Sequence, residues 1–323
     1  MPLWLWIVLG CVVLLGLIVP SIIAAVIYNI LLVRTSPEKW IRKCSWPDDP
    51  EYAKMYDQAL QWGEKHKDRI RDVSITSDGL KLCGQYVDFG FDRTVIIIPG
   101  RTEGCYYCYY FAEPYRVAGY NILAIDNRSH GLSEGKRISF GVKEHRDIIA
   151  WSKFLHEELG NTQVIIHGIC IGSSVGLYAL VSPQCPDYLV GMTCEGMYTT
   201  FYESFNQHMV EFKQPIFPTS MIVMAYIRLF SGANVMTDGP IKQIRKLQKP
   251  ILFLHSKEDT YSLPHRAQVL YDLCPSEKNL VWFDKGAHSR IRINLPEEYD
   301  RAIMDYWKNR EISVCSAQVV AVD

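Results

Sequence analysis

Three residues far apart in the chain carry the side chains that nucleophilic acyl chemistry needs. Cys170 lies in Gly168-Ile169-Cys170-Ile171-Gly172, between the apolar run Val164-Ile165-Ile166-His167 and a helix-forming stretch over residues 173–180. A nucleophile at a strand–turn–helix junction occupies a strained turn, and flanking residues without side chains let neighbouring backbone pass close to it. A cysteine there requires a base, because the thiolate is the attacking species. His288 can serve, in Lys285-Gly286-Ala287-His288 just after the apolar run Val281-Trp282-Phe283. Asp259, in His255-Ser256-Lys257-Glu258-Asp259, would hold the imidazole in the required tautomer. Glu258 competes for that role from next door, and the spacing to Pro264 favours Asp259. The chain order nucleophile, acid, histidine describes a site that forms and breaks a covalent acyl-enzyme.

Such chemistry also needs donors for the charge that develops on the acyl oxygen. The backbone amide of Ile171, the residue after the nucleophile, is one candidate. The other is the amide of Arg101, in the loop Pro99-Gly100-Arg101-Thr102-Glu103-Gly104 after a β-branched run. Most other histidines read as surface or core residues. Cys105-Tyr106-Tyr107-Cys108 has the spacing of half a zinc site, but no second pair follows at a suitable distance. Two packed thiols are expected there, and neither a metal nor a cofactor is called for.

These residues need a scaffold that delivers them to one edge. Residues 73–76 and 80–89 read as a hairpin about Asp78-Gly79. Residues 94–98 are β-branched and apolar after Thr94, the mark of a buried parallel strand. Further strands are expected over 121–125, 164–167, 188–194, 251–255 and 280–283. Helices are expected over 50–69, 140–159 and 296–307. The alternation predicts an α/β fold with a doubly wound, mainly parallel sheet and an antiparallel hairpin at its edge. Asp259 and His288 then follow the C-terminal ends of parallel strands, where such sheets place their sites. Residues 201–249 break the rhythm and are rich in aromatic residues and methionine, with Pro215 and Pro218 between. They read as a helical cap over the site, at about 200–248, offering a pocket for a small apolar or acyl-bearing substrate.

Residues 3–33 contain no charged side chain, more than the roughly 20 apolar residues that cross a bilayer. The run is too long for the core of a signal peptide and lacks a basic start, which favours a permanent single-pass anchor. Arg34, Lys39, Arg42 and Lys43 follow it directly. The positive-inside rule puts the folded part in the cytoplasm, in line with ten cysteines that form no evident disulfide framework. The chain divides into an anchor over 1–34, a juxtamembrane segment and helix over 35–69, and one large domain over 70–323. A net charge of −1 gives no reason to expect a nucleic-acid partner. The oligomeric state is not legible.

One further stretch, Asp126-Asn127-Arg128-Ser129-His130-Gly131-Leu132-Ser133, completes a resemblance. It matches the D-x-R-x-H-G-x-S loop of the α/β-hydrolases. In particular the chain resembles the membrane-anchored bacterial serine hydrolases related to the prolyl oligopeptidase group. The resemblance covers roughly residues 62–307 and implies the α/β-hydrolase fold with its cap insertion. It assigns Asp126, Arg128 and His130 to shaping their loop rather than to catalysis. Two departures stand out. Pro99 replaces the usual histidine before the oxyanion glycine, and Cys170 replaces serine.

Cysteine at this position is similar to dienelactone hydrolases, polyhydroxyalkanoate synthases and bile acid-CoA:amino acid N-acyltransferases. One of these hydrolyses and two transfer acyl groups. The leading expectation is a hydrolase of esters, thioesters or amides working through Cys170, His288 and Asp259. An acyltransferase passing the acyl group to an amine, alcohol or thiol is the alternative. A non-catalytic membrane protein that keeps the fold is a third.

Overall fold

A computed structural model describes residues 2–308 and 310. Eight strands form one sheet: β1 (Ile70–Ser77), β2 (Leu80–Val87), β3 (Arg93–Ile98), β4 (Asn121–Ile125), β5 (Gln163–Ile169), β6 (Leu189–Glu195), β7 (Ile251–Ser256) and β8 (Lys278–Phe283). Their spatial order is β1-β2-β4-β3-β5-β6-β7-β8. The strands β1 and β2 pair antiparallel, as do β2 and β4; every later pairing is parallel. The hairpin turns at Asp78 and Gly79, both with positive φ, which matches the twist of the strands it joins.

The parallel strands are buried on both faces, and alternate residues serve opposite layers. Val95, Ile97, Ile122, Ala124, Ile165, Leu252 and Leu254 join one apolar core. Their neighbours Ile96, Ile98, Leu123, Ile125, Ile166, Ile251 and Phe253 join the other. The helices Pro50–Lys65 and Pro296–Trp307 cover the first face. Helices Glu144–Glu157 and Ile171–Leu180 cover the second, the former through Ile148, Trp151 and Leu155. Cys105 and Cys108 are buried in the first layer, and burial pushes both thiols up. The described cysteines, nine in number, are all free.

The helix expected over 140–159 begins later, at Glu144. Its buried carboxylate accepts hydrogen bonds from Ser139 N at 2.6 Å and Gly141 N at 3.0 Å. That bends 139–141 into a turn with Phe140 and Gly141 at positive φ. The cap is a pair of helices, Phe201–Glu211 and Thr219–Ser231.

The helix Leu3–Leu32 is long and apolar enough to cross a membrane. Its last turns are packed rather than free. Ala24, Tyr28 and Leu32 are buried in a third apolar cluster with Val223, Met224 and Ile227 of the cap. Arg101 Nη1 donates to Leu31 O at 3.1 Å, and Lys39 Nζ to Asn29 O at 2.7 Å.

Inside the loop after β4, Arg128 forms a bidentate pair with Asp147, at 2.7 and 2.6 Å, with both side chains buried. Breaking a buried pair strands the other charge. Arg128→Ala is therefore expected to lower stability by about 3 kcal/mol, measured by urea denaturation. A loss below about 1 kcal/mol, the range of an exposed pair, would contradict this role.

Candidate active site

Strand β5 ends at Ile169, and Cys170 turns the chain at φ 54°, ψ −114° into the helix Ile171–Leu180. Steric crowding enforces the flanking glycines. A Cβ on Gly168 would lie 2.5 Å from Gly172 C and Ser173 Cα, and one on Gly172 would lie 2.2 Å from Ile98 O. The Cys170 amide donates to Glu195 O at 2.9 Å, and Ser173 Oγ donates to Gly168 O at 2.6 Å. The turn is thus tied to its own strand and to β6.

After β7, Asp259 is buried, with Oδ1 accepting from Tyr261 N at 2.9 Å and Ser262 N at 2.7 Å. Its other oxygen, Oδ2, lies 2.8 Å from His288 Nδ1. Glu258 points elsewhere: its Oε2 accepts from Gly286 N at 3.0 Å. Cys170 lies near enough to the His288 imidazole to favour its charged form. Gly196 closes the space behind the ring, at positive φ, where a Cβ would lie 2.9 Å from His288 Cε1. The three sequence-derived side chains therefore come together at the C-terminal edge of the sheet.

Both expected oxyanion amides are free. Ile171 is the first residue of its helix, where backbone N–H groups have no helical partner. Among the described residues neither its amide nor that of Arg101 meets an acceptor. The Asp126 loop fixes the Arg101 loop. Asn127 Nδ2 donates to Pro99 O at 3.2 Å, and His130 Nε2 bonds Arg101 O. Asp126 itself gathers Arg42 Nε, Cys105 N and Leu132 N at 2.9, 2.8 and 2.9 Å. Proline before the oxyanion glycine leaves this arrangement intact, because it is the carbonyl of Pro99 that is held.

The alpha/beta hydrolase fold family matches residues 93–219. The uncharacterized protein YqkD of Bacillus subtilis is 26% identical over 220 residues, covering 67% of this chain and 72% of that protein. Among solved structures, the Pyrococcus furiosus esterase Pf2001 superposes with a TM-score of 0.62 at 24% identity, covering 76% of this chain and 94% of that one. The Pyrococcus horikoshii acylaminoacyl peptidase gives a TM-score of 0.55 at 20% identity, covering 75% of this chain and 42% of that one. The chain has the α/β-hydrolase fold.

Within this α/β-hydrolase fold, four neighbours of the site carry no sequence motif of their own. Tyr52, from the helix Pro50–Lys65, lies beside Glu103 and stacks on Tyr107 at 5.5 Å. Glu195 ends β6, and burial pushes its carboxyl up to about 7, against a Tyr299 hydroxyl hydrogen bond of 2.5 Å that favours the anion. His255 donates from Nε2 to Ser262 O at 2.6 Å, and burial holds its pKa down, so it stays neutral 4.0 Å from Asp259. Only a strand-end position marks Glu195 and His255 in the sequence, and nothing local marks Tyr52 or Glu103. No group of three or more His, Cys, Asp and Glu side chains among the described residues could hold a metal ion.

Electrostatics follow from this arrangement. Burial opposes the His288 imidazolium, but the Asp259 charge, Cys170 and their hydrogen bonds outweigh it and hold the pKa well above its ordinary value. Burial likewise opposes the Asp259 anion, and the His288 charge and hydrogen bond bring its pKa below the ordinary value. The folded value of His288 exceeds the unfolded one of about 6.5. Its contribution to stability is therefore whole below that pH and is lost as pH rises through the folded value. NMR titration of ring-labelled histidine is expected to show one imidazolium persisting above neutral pH. Asp259→Asn should move that titration downward. No change on substitution would show that Asp259 does not hold the ring charged.

Proposed function

We propose that the protein hydrolyses an ester, thioester or amide through a covalent acyl-enzyme on Cys170, with His288 as acid–base and Asp259 as its orienting anion. The observation that carries this reading is Cys170 at positive φ between two sterically required glycines, facing the His288–Asp259 pair. In the acylation step, Cys170 sulfur attacks the acyl carbon, and the Arg101 and Ile171 amides receive the oxyanion. The imidazolium of His288 gives its proton to the leaving alcohol, thiol or amine as the carbon–heteroatom bond breaks. His288 then takes a proton from water, the hydroxide adds to the thioester, and the acid leaves as the carbon–sulfur bond breaks.

Esterases and a peptidase among the similar structures have the same fold and fit this class of chemistry. The helix Leu3–Leu32 is read as a membrane span, with the folded domain on the cytoplasmic side. The basic residues Arg34, Lys39, Arg42 and Lys43 support that orientation. The substrate is read as an apolar acyl compound under the cap.

Purified full-length protein is expected to turn over p-nitrophenyl esters and to accumulate an acyl adduct, located by mass spectrometry on Cys170. Cys170→Ala and His288→Ala should each lower the rate by about four orders of magnitude, since residues acting as a unit fail together. An unchanged rate in Cys170→Ala would end the proposal. Added amines separate the two acyl reactions: an amide product would identify a transferase, and free acid alone a hydrolase.

A further inference from the structure

The cap carries an apolar surface that the fold leaves uncovered. Phe217 is 79% exposed, Leu229 72% and Phe212 66%, with Val210, Met221 and Phe230 also exposed. Large apolar side chains left exposed together on one element mark a binding surface on a folded protein. Its position relative to the helix Leu3–Leu32 identifies the partner.

Tyr226 Oη reaches Ser21 O at 3.4 Å, and Phe230 packs on Tyr28 with ring centroids 5.6 Å apart. The cap helix Thr219–Ser231 therefore runs parallel to the N-terminal helix, and the loop over 212–218 lies further from Leu32 than these contacts do. Ala24, fully buried against the cap, is about 12 Å from Leu32 along a helix rising 1.5 Å per residue. The polar layer on each side of a bilayer is roughly 5–8 Å thick. A cap that touches Ala24 thus passes that layer once Leu3–Leu32 spans.

The helix end is tied to the domain, where Arg101 donates to the carbonyl of Leu31. The Leu32 carbonyl also accepts from Ile138 N at 3.3 Å. Near the helix end, exposed Lys43 and Trp46 mark the level of the membrane boundary.

A groove of about 490 Å³ opens at that level, lined by Ile30, Leu31, Trp40, Trp46 and Arg101. Such a volume suits a ligand of moderate size. Arg101 also belongs to the loop after β3 that Asn127 and His130 hold, so the groove and the expected oxyanion loop share a residue. Ile171, next to the nucleophile, packs in the cluster that joins the cap to the N-terminal helix.

We infer that the cap tip lies in the lipid bilayer beside the N-terminal helix, and that the substrate is an acyl-bearing amphiphile reaching Cys170 from the membrane through the groove at Arg101. The chemistry of this inference rests on the acyl-enzyme reading above; its geometry does not.

Two measurements on the full chain in phospholipid vesicles test it. Benzoylphenylalanine in place of Phe217 is expected to photo-crosslink to phospholipid. Crosslinks to a second copy of the chain, or none to lipid, would overturn the location, whatever the protein catalyses. The double variant Phe212→Glu, Phe217→Glu should lose about tenfold or more of its rate on a long-chain ester embedded in the vesicles. Its rate on p-nitrophenyl acetate in detergent should stay within twofold of the parent. Equal losses on both substrates, or on neither, would overturn the membrane route. Absence of any Cys170-dependent turnover in the parent protein would instead remove the acyl-enzyme reading and with it the route, leaving the crosslinking result to decide the location.

Discussion

The site depends on how closely β3 passes the elbow. With the Ile98 carbonyl 2.2 Å from where a Cβ on Gly172 would sit, residue 172 must be glycine in the first turn of the helix Ile171–Leu180. That contact sets the angle at which Cys170 leaves β5 and brings the Ile171 amide beside the loop that begins at Pro99. A positive φ at a cysteine costs of order 1–3 kcal/mol and persists only when its surroundings over-determine it. Here the surroundings are the Glu195 carbonyl, the Ser173 hydroxyl and the buried strands on either side. The same packing that makes the sheet therefore stores the strain that exposes the sulfur.

Much of this was legible from local pattern. The Asp78-Gly79 turn, the β-branched runs of β3 to β5 and the chain order of Cys170, Asp259 and His288 are each written in short segments whose chemistry admits few structures. The choice between Asp259 and Glu258 rested on spacing alone, and the geometry separates them: one faces His288 and the other caps the Gly286 turn. What local pattern could not give is whatever depends on distant chain. Residues 140–143 have the composition of helix, yet the buried Glu144 carboxylate draws 139–141 into a turn. Tyr52 stacks on Tyr107 across more than fifty residues of sequence, and no periodicity encodes that approach.

Charge around Cys170, Asp259 and His288 is arranged by subtraction. Five titratable groups crowd the C-terminal edge of β6 and β7: Glu195, His255, Asp259, His288 and Cys170. Burial removes charge from two of them. It holds His255 neutral, and it moves Glu195 to about 7, so that its anion is weakened near neutral pH. Asp259 alone receives two backbone amides on one oxygen and an imidazole on the other. A carboxylate so held stays ionised, and an ionised Asp259 is what makes the His288 cation affordable in a dry site. The acid and base roles are thus separated by hydrogen-bond count and not by residue type.

The N-terminal helix belongs to the same argument. A flexible tether would place no demand on the folded domain, yet this helix ends in contacts that the active site also uses. Arg101 offers its carbonyl to His130 and its guanidinium to Leu31 O. Trp40, just beyond the helix, stacks on His130 at 4.8 Å and accepts the Gly131 amide through its carbonyl at 2.8 Å. Arg42 in turn reaches Asp126, the carboxylate that organises the loop after β4. Each step from the helix end to the oxyanion loop is a hydrogen bond or a ring contact between named groups. A displacement of the helix would have to be absorbed by that loop, because the buried sheet behind it has no space to yield. The position of the N-terminal helix and the geometry of the loop after β3 are for that reason one mechanical problem.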